Sequence, residues 1–123
     1  MDWFIHEVDQ TSENKLTYLF TVLDRWFKSN DFNGCAFINA SGEIGDHKSL
    51  IRQVAKEHKT NLKNYLYFLC EQYHAADPGK LSEKLLLLVD GAIVVAHVLG
   101  DPQAASNGLA IAKALISTEN IDD

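Results

Sequence analysis

The chain has 123 residues, 46% of them hydrophobic, with 17 acidic against 11 basic side chains and a net charge of −6. That length suits one domain able to bury a core without a metal or disulfides, and the two cysteines, Cys35 and Cys70, form neither a disulfide framework nor a zinc pattern. No Lys/Arg cluster is dense enough to follow a phosphate backbone, so DNA binding by this chain alone is not expected.

Met1-Asp2-Trp3-Phe4-Ile5-His6-Glu7 carries no basic leader and too short an apolar run for a secretory signal, and a cytoplasmic protein is expected. Ser12 is placed to cap a helix over residues 12–29, where Leu16, Leu19, Phe20, Leu23, Trp26 and Phe27 recur at three- and four-residue spacing. Lys15, Asp24, Arg25 and Lys28 make its polar face. The next segment, Phe32-Asn33-Gly34-Cys35-Ala36-Phe37-Ile38-Asn39-Ala40-Ser41-Gly42-Glu43, is too apolar for an ordinary solvent loop and is expected to include one short helical turn.

Gly45-Asp46 then precedes a long helix over residues 47–74, with Ile51, Val54, Ala55, His58, Leu62, Tyr65, Leu66 and Leu69 as its buried stripe. Asp77-Pro78 and Asp101-Pro102 each read as a helix start, because Asp accepts from free helix-start amides and Pro at the next position gives up no helical bond. Gly100 falls where a left-handed residue would end the preceding helix. The chain therefore closes as a helical hairpin over residues 78–99 and 102–118, and the fold class is an all-α bundle.

From Leu85 to Leu99 apolar side chains point in nearly every direction, interrupted only by polar Asp90 and His97, and the run falls short of the ~20 residues of a membrane span. A helix of this kind in a protein with no membrane span is buried on more than one side. The last helix adds small residues that admit a close neighbour. A homodimer through this hairpin is expected, as four packed helices, with Leu86, Val94, Val98, Ala104, Ala105, Gly108, Ile111, Ala112 and Leu115 at the interface. The alternative, a monomer with an Ala-rich surface helix, leaves an unusually large apolar patch exposed.

The five histidines, His6, His47, His58, His74 and His97, show neither i, i+4 spacing nor a nearby Cys, and no metal or other cofactor is expected. Nucleophile elbow, phosphate-cradling loop and dinucleotide fingerprint are all missing from the sequence, so an enzyme is not expected. A Cys35–His58 nucleophile pair is conceivable but nothing requires it. Binding of a small, mostly apolar molecule is the better reading. Phe20, Trp26, Phe27, Phe37, Tyr65, Phe68 and Leu69 would form the wall of such a site, each with core packing as the rival role.

Three polar residues complete the candidate set. Asn39 sits inside an apolar segment and either holds local backbone or faces a cavity. Asp90 and His97, two turns apart on the most apolar helix, line the pocket, bond across a dimer, or reach solvent at the helix edges. Cys35 is either packing or a redox sensor.

Leu23-Asp24-Arg25-Trp26-Phe27, the segment from Phe32 to Glu43, and Leu85-Leu86-Leu87-Leu88-Val89-Asp90-Gly91-Ala92-Ile93-Val94 together resemble the C-terminal effector-binding half of TetR-type transcriptional regulators, in the drug- and flavonoid-responsive branch. The matching positions are Gly34-Cys35, Phe37, Asn39-Ala40 and Glu43, then Asp90-Gly91-Ala92; Ala36 departs, standing where many relatives have proline. The resemblance implies a helical bundle that dimerises through its last two long helices and binds a small effector. DNA contact would come only from an N-terminal helix-turn-helix domain upstream of Met1, with the first residues here as the tail of a connecting helix. The rival functional class is a dimeric helical interaction module without a small-molecule pocket.

Overall fold

The computed structural model describes residues 2–29, 32 and 46–119, with side chains described for 3–29, 32, 53 and 56–119. These residues form an all-α bundle of α1 (Asp2–Asp9), α2 (Lys15–Phe27), α3 (Asp46–Gln72), α4 (Pro78–Leu99) and α5 (Ala104–Thr118). Among the described residues there is no strand, and no helix is long and apolar enough to cross a membrane.

Helix α2 is the hub and packs against all four other helices. Its buried residues are Leu16, Leu19, Phe20, Val22 and Leu23. The three- and four-residue spacing puts most of them on one stripe, and Val22 widens it so that neighbours fit on two sides. The core continues through Phe4 and Val8 of α1, Leu62, Leu66, Leu69 and Cys70 of α3, and Leu85, Val89 and Ile93 of α4.

The helix ends are set by side-chain and backbone chemistry, and two starts differ from the sequence expectation. Asn14, not Ser12, caps α2: its Oδ1 accepts from the Leu16 amide at 2.8 Å. Ser12 lies in a bend instead, where the Thr11 hydroxyl oxygen accepts from the Glu13 amide and stops the helix from starting earlier. Asp77 caps α4 as expected, accepting from the Lys80 amide at 3.1 Å with Pro78 in the first turn.

Asp101 does not play the same part. Its carboxylate accepts from the Gln103 amide at 2.8 Å, closing an Asx turn over Pro102, and α5 begins at Ala104. At its other end α4 stops at Gly100, φ 62° and ψ 29°, the left-handed conformation that glycine adopts without a Cβ penalty. Helix α3 stops by the same device on a different residue: His74 has φ 59°. The Ala75 amide donates to the Cys70 carbonyl and the His74 amide to the Glu71 carbonyl, a Schellman closure that ends the helix at Gln72, before His74.

The α4–α5 hairpin uses one side of each helix for the protomer. Leu81, Leu85, Val89, Ala92, Ile93 and Ala96 of α4 are buried. Helix α5 buries Ala104, Gly108, Ala112 and Ile116 at four-residue spacing, with Ala105 beside them, and it lies closely against α2 because Gly108 has no side chain. A Cβ there would stand 2.8 Å from Cε1 and 3.0 Å from Cδ1 of Phe20. Ala105 and Ala112, expected at a dimer interface, are therefore used up inside the chain, being 1% and 0% exposed.

Two predictions follow from this packing. Replacing a helix-interior glycine by alanine normally stabilises by about 1 kcal/mol, but at Gly108 the new methyl meets a wholly buried ring. Gly108→Ala is expected to lower the urea midpoint, with a loss of ~1–3 kcal/mol from overpacking. The second concerns Cys70, whose thiol is pushed up from 9.0 to about 12, first by burial and then by the Glu119 carboxylate. The unfolded chain releases this proton near pH 9 while the folded chain holds it to about pH 12. This contribution to stability is therefore complete below about pH 9 and is lost as pH rises through that window. Urea titrations should show a steeper alkaline decline for the wild type than for Cys70→Ala.

Candidate functional site

One aromatic cluster joins α1, the end of α2 and the end of α4. Trp3 meets Trp26 with ring centroids 5.2 Å apart, Trp26 and Phe27 each lie 4.8 Å from Phe32, and Phe32 meets the His97 ring at 6.1 Å. The Trp3–Trp26, Trp26–Phe32 and Phe32–His97 pairs are edge-to-face, a geometry worth about 0.5–1.5 kcal/mol per pair beyond area burial. Trp3 and His97 keep exposed edges, so the cluster offers aromatic surface at the rim of the bundle.

Of the expected ligand contacts, the structure brings Trp26, Phe27 and His97 together here. The others are dispersed. Phe20 is buried against Gly108, two turns before Phe27 along α2, and Leu69 belongs to the core. Phe68 is 51% exposed on α3. Phe37, Asn39 and Cys35 lie outside the described residues, as does the expected short helical turn. The side chains of Ile51, Val54 and Ala55 are likewise outside them.

Tyr65 and Asp90 have partners that the sequence did not point to. The Tyr65 hydroxyl donates to Asp9 Oδ1 at 2.5 Å and so ties α3 to the end of α1. Burial, reinforced by that carboxylate, pushes the phenol well above its ordinary range. Just past the end of α3, the Tyr73 hydroxyl accepts from the Lys15 amide at the start of α2. Asp90 forms an ion pair with Lys59 between α4 and α3, which resolves its cost on an apolar helix without a ligand.

Two open clefts accompany these contacts. One of about 270 Å³ lies between α2 and α5, with Phe20, Thr21, Lys28, Gln103, Ser106 and Leu109 among its walls. The other, of about 260 Å³, runs between α4 and α5 and is walled by Leu87, Leu88, Gly91, Val95, Asn107 and Ile111 among others. Around it α4 shows Leu87 75% exposed and Val98 63% exposed, with Val94 and Ile111 also bare. Among the described residues, no group of three His, Cys, Asp or Glu side chains could hold a metal ion.

The signal for Trp3 was present but faint. Trp3 neighbours Phe4, which is buried together with Val8 at helical spacing, and that pattern alone places an amphipathic helix at the start. The pairing of Asp9 with Tyr65 spans 56 positions and has no local signature.

Comparison with known proteins gives a distant likeness. The HTH-type transcriptional regulator YjdC of Escherichia coli (strain K12) is 27% identical over 84 residues, covering 68% of this chain and 44% of that protein. The regulator of the same name from Shigella flexneri matches to the same extent. The chain thus matches less than half the length of these curated relatives. No family model matches, and no solved structure matches. The comparison thus shows a distant likeness to part of a helix-turn-helix transcriptional regulator.

Proposed function

We propose that this chain is the effector-binding and dimerisation domain of a TetR-type one-component transcriptional regulator, a cytoplasmic repressor released from DNA by a small, mostly apolar molecule. The observation that carries the reading is the bare apolar face of the α4–α5 hairpin, Leu87, Val94, Val98 and Ile111, in an all-α chain. Exposed apolar patches of this kind mark association surfaces. The likeness to a helix-turn-helix regulator supports the regulatory role. DNA contact belongs to a separate helix-turn-helix domain, since 17 acidic against 11 basic residues give this chain no phosphate-following surface.

In this reading the effector sits beside the aromatic cluster of Trp3, Trp26, Phe27, Phe32 and His97, where α1, the end of α2 and the end of α4 meet. Its binding shifts the balance between two arrangements of the dimer, by no more than its difference in affinity for them. Operator half-sites are spaced by the DNA helical turn, so a modest displacement of the two DNA-reading domains is enough to prevent simultaneous binding.

A dimeric interaction module without a small-molecule site is the second reading. It is favoured by the dispersal of Phe20, Tyr65, Phe68 and Leu69 to separate places in the fold. Native mass spectrometry of the purified chain separates the two. A dimer carrying extra small-molecule mass, lost in Trp26→Ala while the dimer remains, is the expected result. A bare dimer that takes up no apolar compound from a screened set supports the interaction module, and a stable monomer contradicts both.

A further inference from the structure

We propose that the cleft between α2 and α5 is a second small-molecule site, separate from the aromatic cluster, and that it takes an uncharged compound with an apolar body and a hydroxyl group, an alcohol or a phenol. Its volume is about 270 Å³, just below the roughly 300–1,000 Å³ usual for ligand pockets, which fits a fragment-sized molecule. The cleft follows from side-chain size along one antiparallel seam. Phe20 meets Gly108 at one level, and from there the seam runs toward Lys28 at the end of α2 and Pro102 before the start of α5. Thr21 and Asp24 on one side face Ala105 and Ser106 on the other, all short side chains that leave space between the helices. The buried Phe20 and Ala105, with the half-buried Leu109, give the cleft an apolar floor.

The lining sets this cleft apart from a protein-association surface. Five of its nine lining residues are polar or charged, namely Thr21, Asp24, Lys28, Gln103 and Ser106. The large exposed apolar side chains among the described residues lie on α1, α3 and α4 and at Ile111 of α5, and none of them lines it. A concave apolar floor edged by a few polar groups is suited to holding and orienting a small ligand. Its charges are already matched. Lys28 Nζ lies 2.8 Å from Asp24 Oδ2, and at the start of α5, where an anion would otherwise be favoured, the Asp101 carboxylate already accepts from the Gln103 amide. A charged ligand therefore breaks a pair or meets a like charge, whereas a neutral one does neither. Ser106 selects the polar group. Its hydroxyl donates to Gln103, with the carbonyl oxygen and Oε1 both at 3.1 Å, so the lone pairs of its own oxygen are left to accept. A ligand hydroxyl is the matching donor, and the Thr21 hydroxyl across the seam can give or take a second bond.

Three probes of closely matched shape test the site and its ligand class: phenethyl alcohol, phenylacetate and phenethylamine, titrated at neutral pH into the isotope-labelled chain and followed by backbone amide chemical shifts. Phenethyl alcohol should give saturable shifts at Thr21, Asp24, Ser106 and Leu109, with a dissociation constant on the order of millimolar. The two charged probes should bind at least about tenfold more weakly. Ser106→Phe, at an exposed position where a ring fills the cleft without entering the core, should abolish these shifts with unchanged helical circular dichroism. Thr21→Val keeps the shape of the wall, and loss of the hydroxyl should weaken binding about three- to tenfold. Shifts that never saturate, that are equal for all three probes, or that survive Ser106→Phe overturn the proposal. Shifts confined to the surroundings of Trp3, Trp26 and His97, and lost in Trp26→Ala, overturn it while leaving the effector reading standing. Cleft shifts that persist in Trp26→Ala support it whether or not the aromatic cluster takes up an effector.

Discussion

Everything in this fold is arranged around α2, which packs against all four other helices. Leu16, Leu19, Phe20, Val22 and Leu23 leave water together, and at about 1.5–3 kcal/mol for each fully buried side chain they account for a large share of the burial free energy. The ring of Phe20 fixes how closely α5 can lie, because it occupies the space a Gly108 side chain would need. With α5 drawn inward, the small residues of that helix face the core. Its outer side, with the outer side of α4, is left as an apolar surface. The surface on which association is proposed is thus a consequence of how the interior is filled.

Polar contacts refine this arrangement. The hydroxyls of Tyr65 on α3 and Tyr73 in the turn after it both reach the α1–α2 joint, one donating to Asp9 and the other accepting from the Lys15 amide. The Glu119 carboxylate accepts from the Asp77 amide at 2.9 Å, tying the end of α5 to the start of α4. Lys59 and Asp90 link α3 to α4 with both side chains about one third exposed, where solvent reduces what the pair contributes. Such ties set register between helices, while the apolar burial supplies the free energy.

Much of the helical layout was legible in the sequence because its signals are local. Asp77-Pro78 and Gly100 bound α4 where the sequence places it, since a cap, a fixed φ and a left-handed glycine act within a few residues. The misplaced ends failed for equally local reasons. Thr11 and Asp101 bond their own neighbours and form turns that compete with helix starts, and His74 takes a conformation usually assigned to glycine. The site was less legible. Periodicity tells which residues face inward but not which of their neighbours they meet, so Phe20, Tyr65 and Leu69 share a pattern with Trp26 and Phe27 yet lie elsewhere. The α5 alanines illustrate the same limit: a small-residue face is visible in sequence, but whether it serves the chain's own core or another copy depends on the three-dimensional position of Phe20.

The central claim is that the uncharged outer face of α4 and α5 is covered by a second copy of the same chain. Isotope-filtered nuclear Overhauser spectroscopy on a mixture of labelled and unlabelled chains tests it directly. The account predicts intermolecular contacts at the methyl groups of Leu87, Val94, Val98 and Ile111. Methyls at these positions that see only water, while intermolecular contacts appear on α1 or α3 or nowhere, would contradict it.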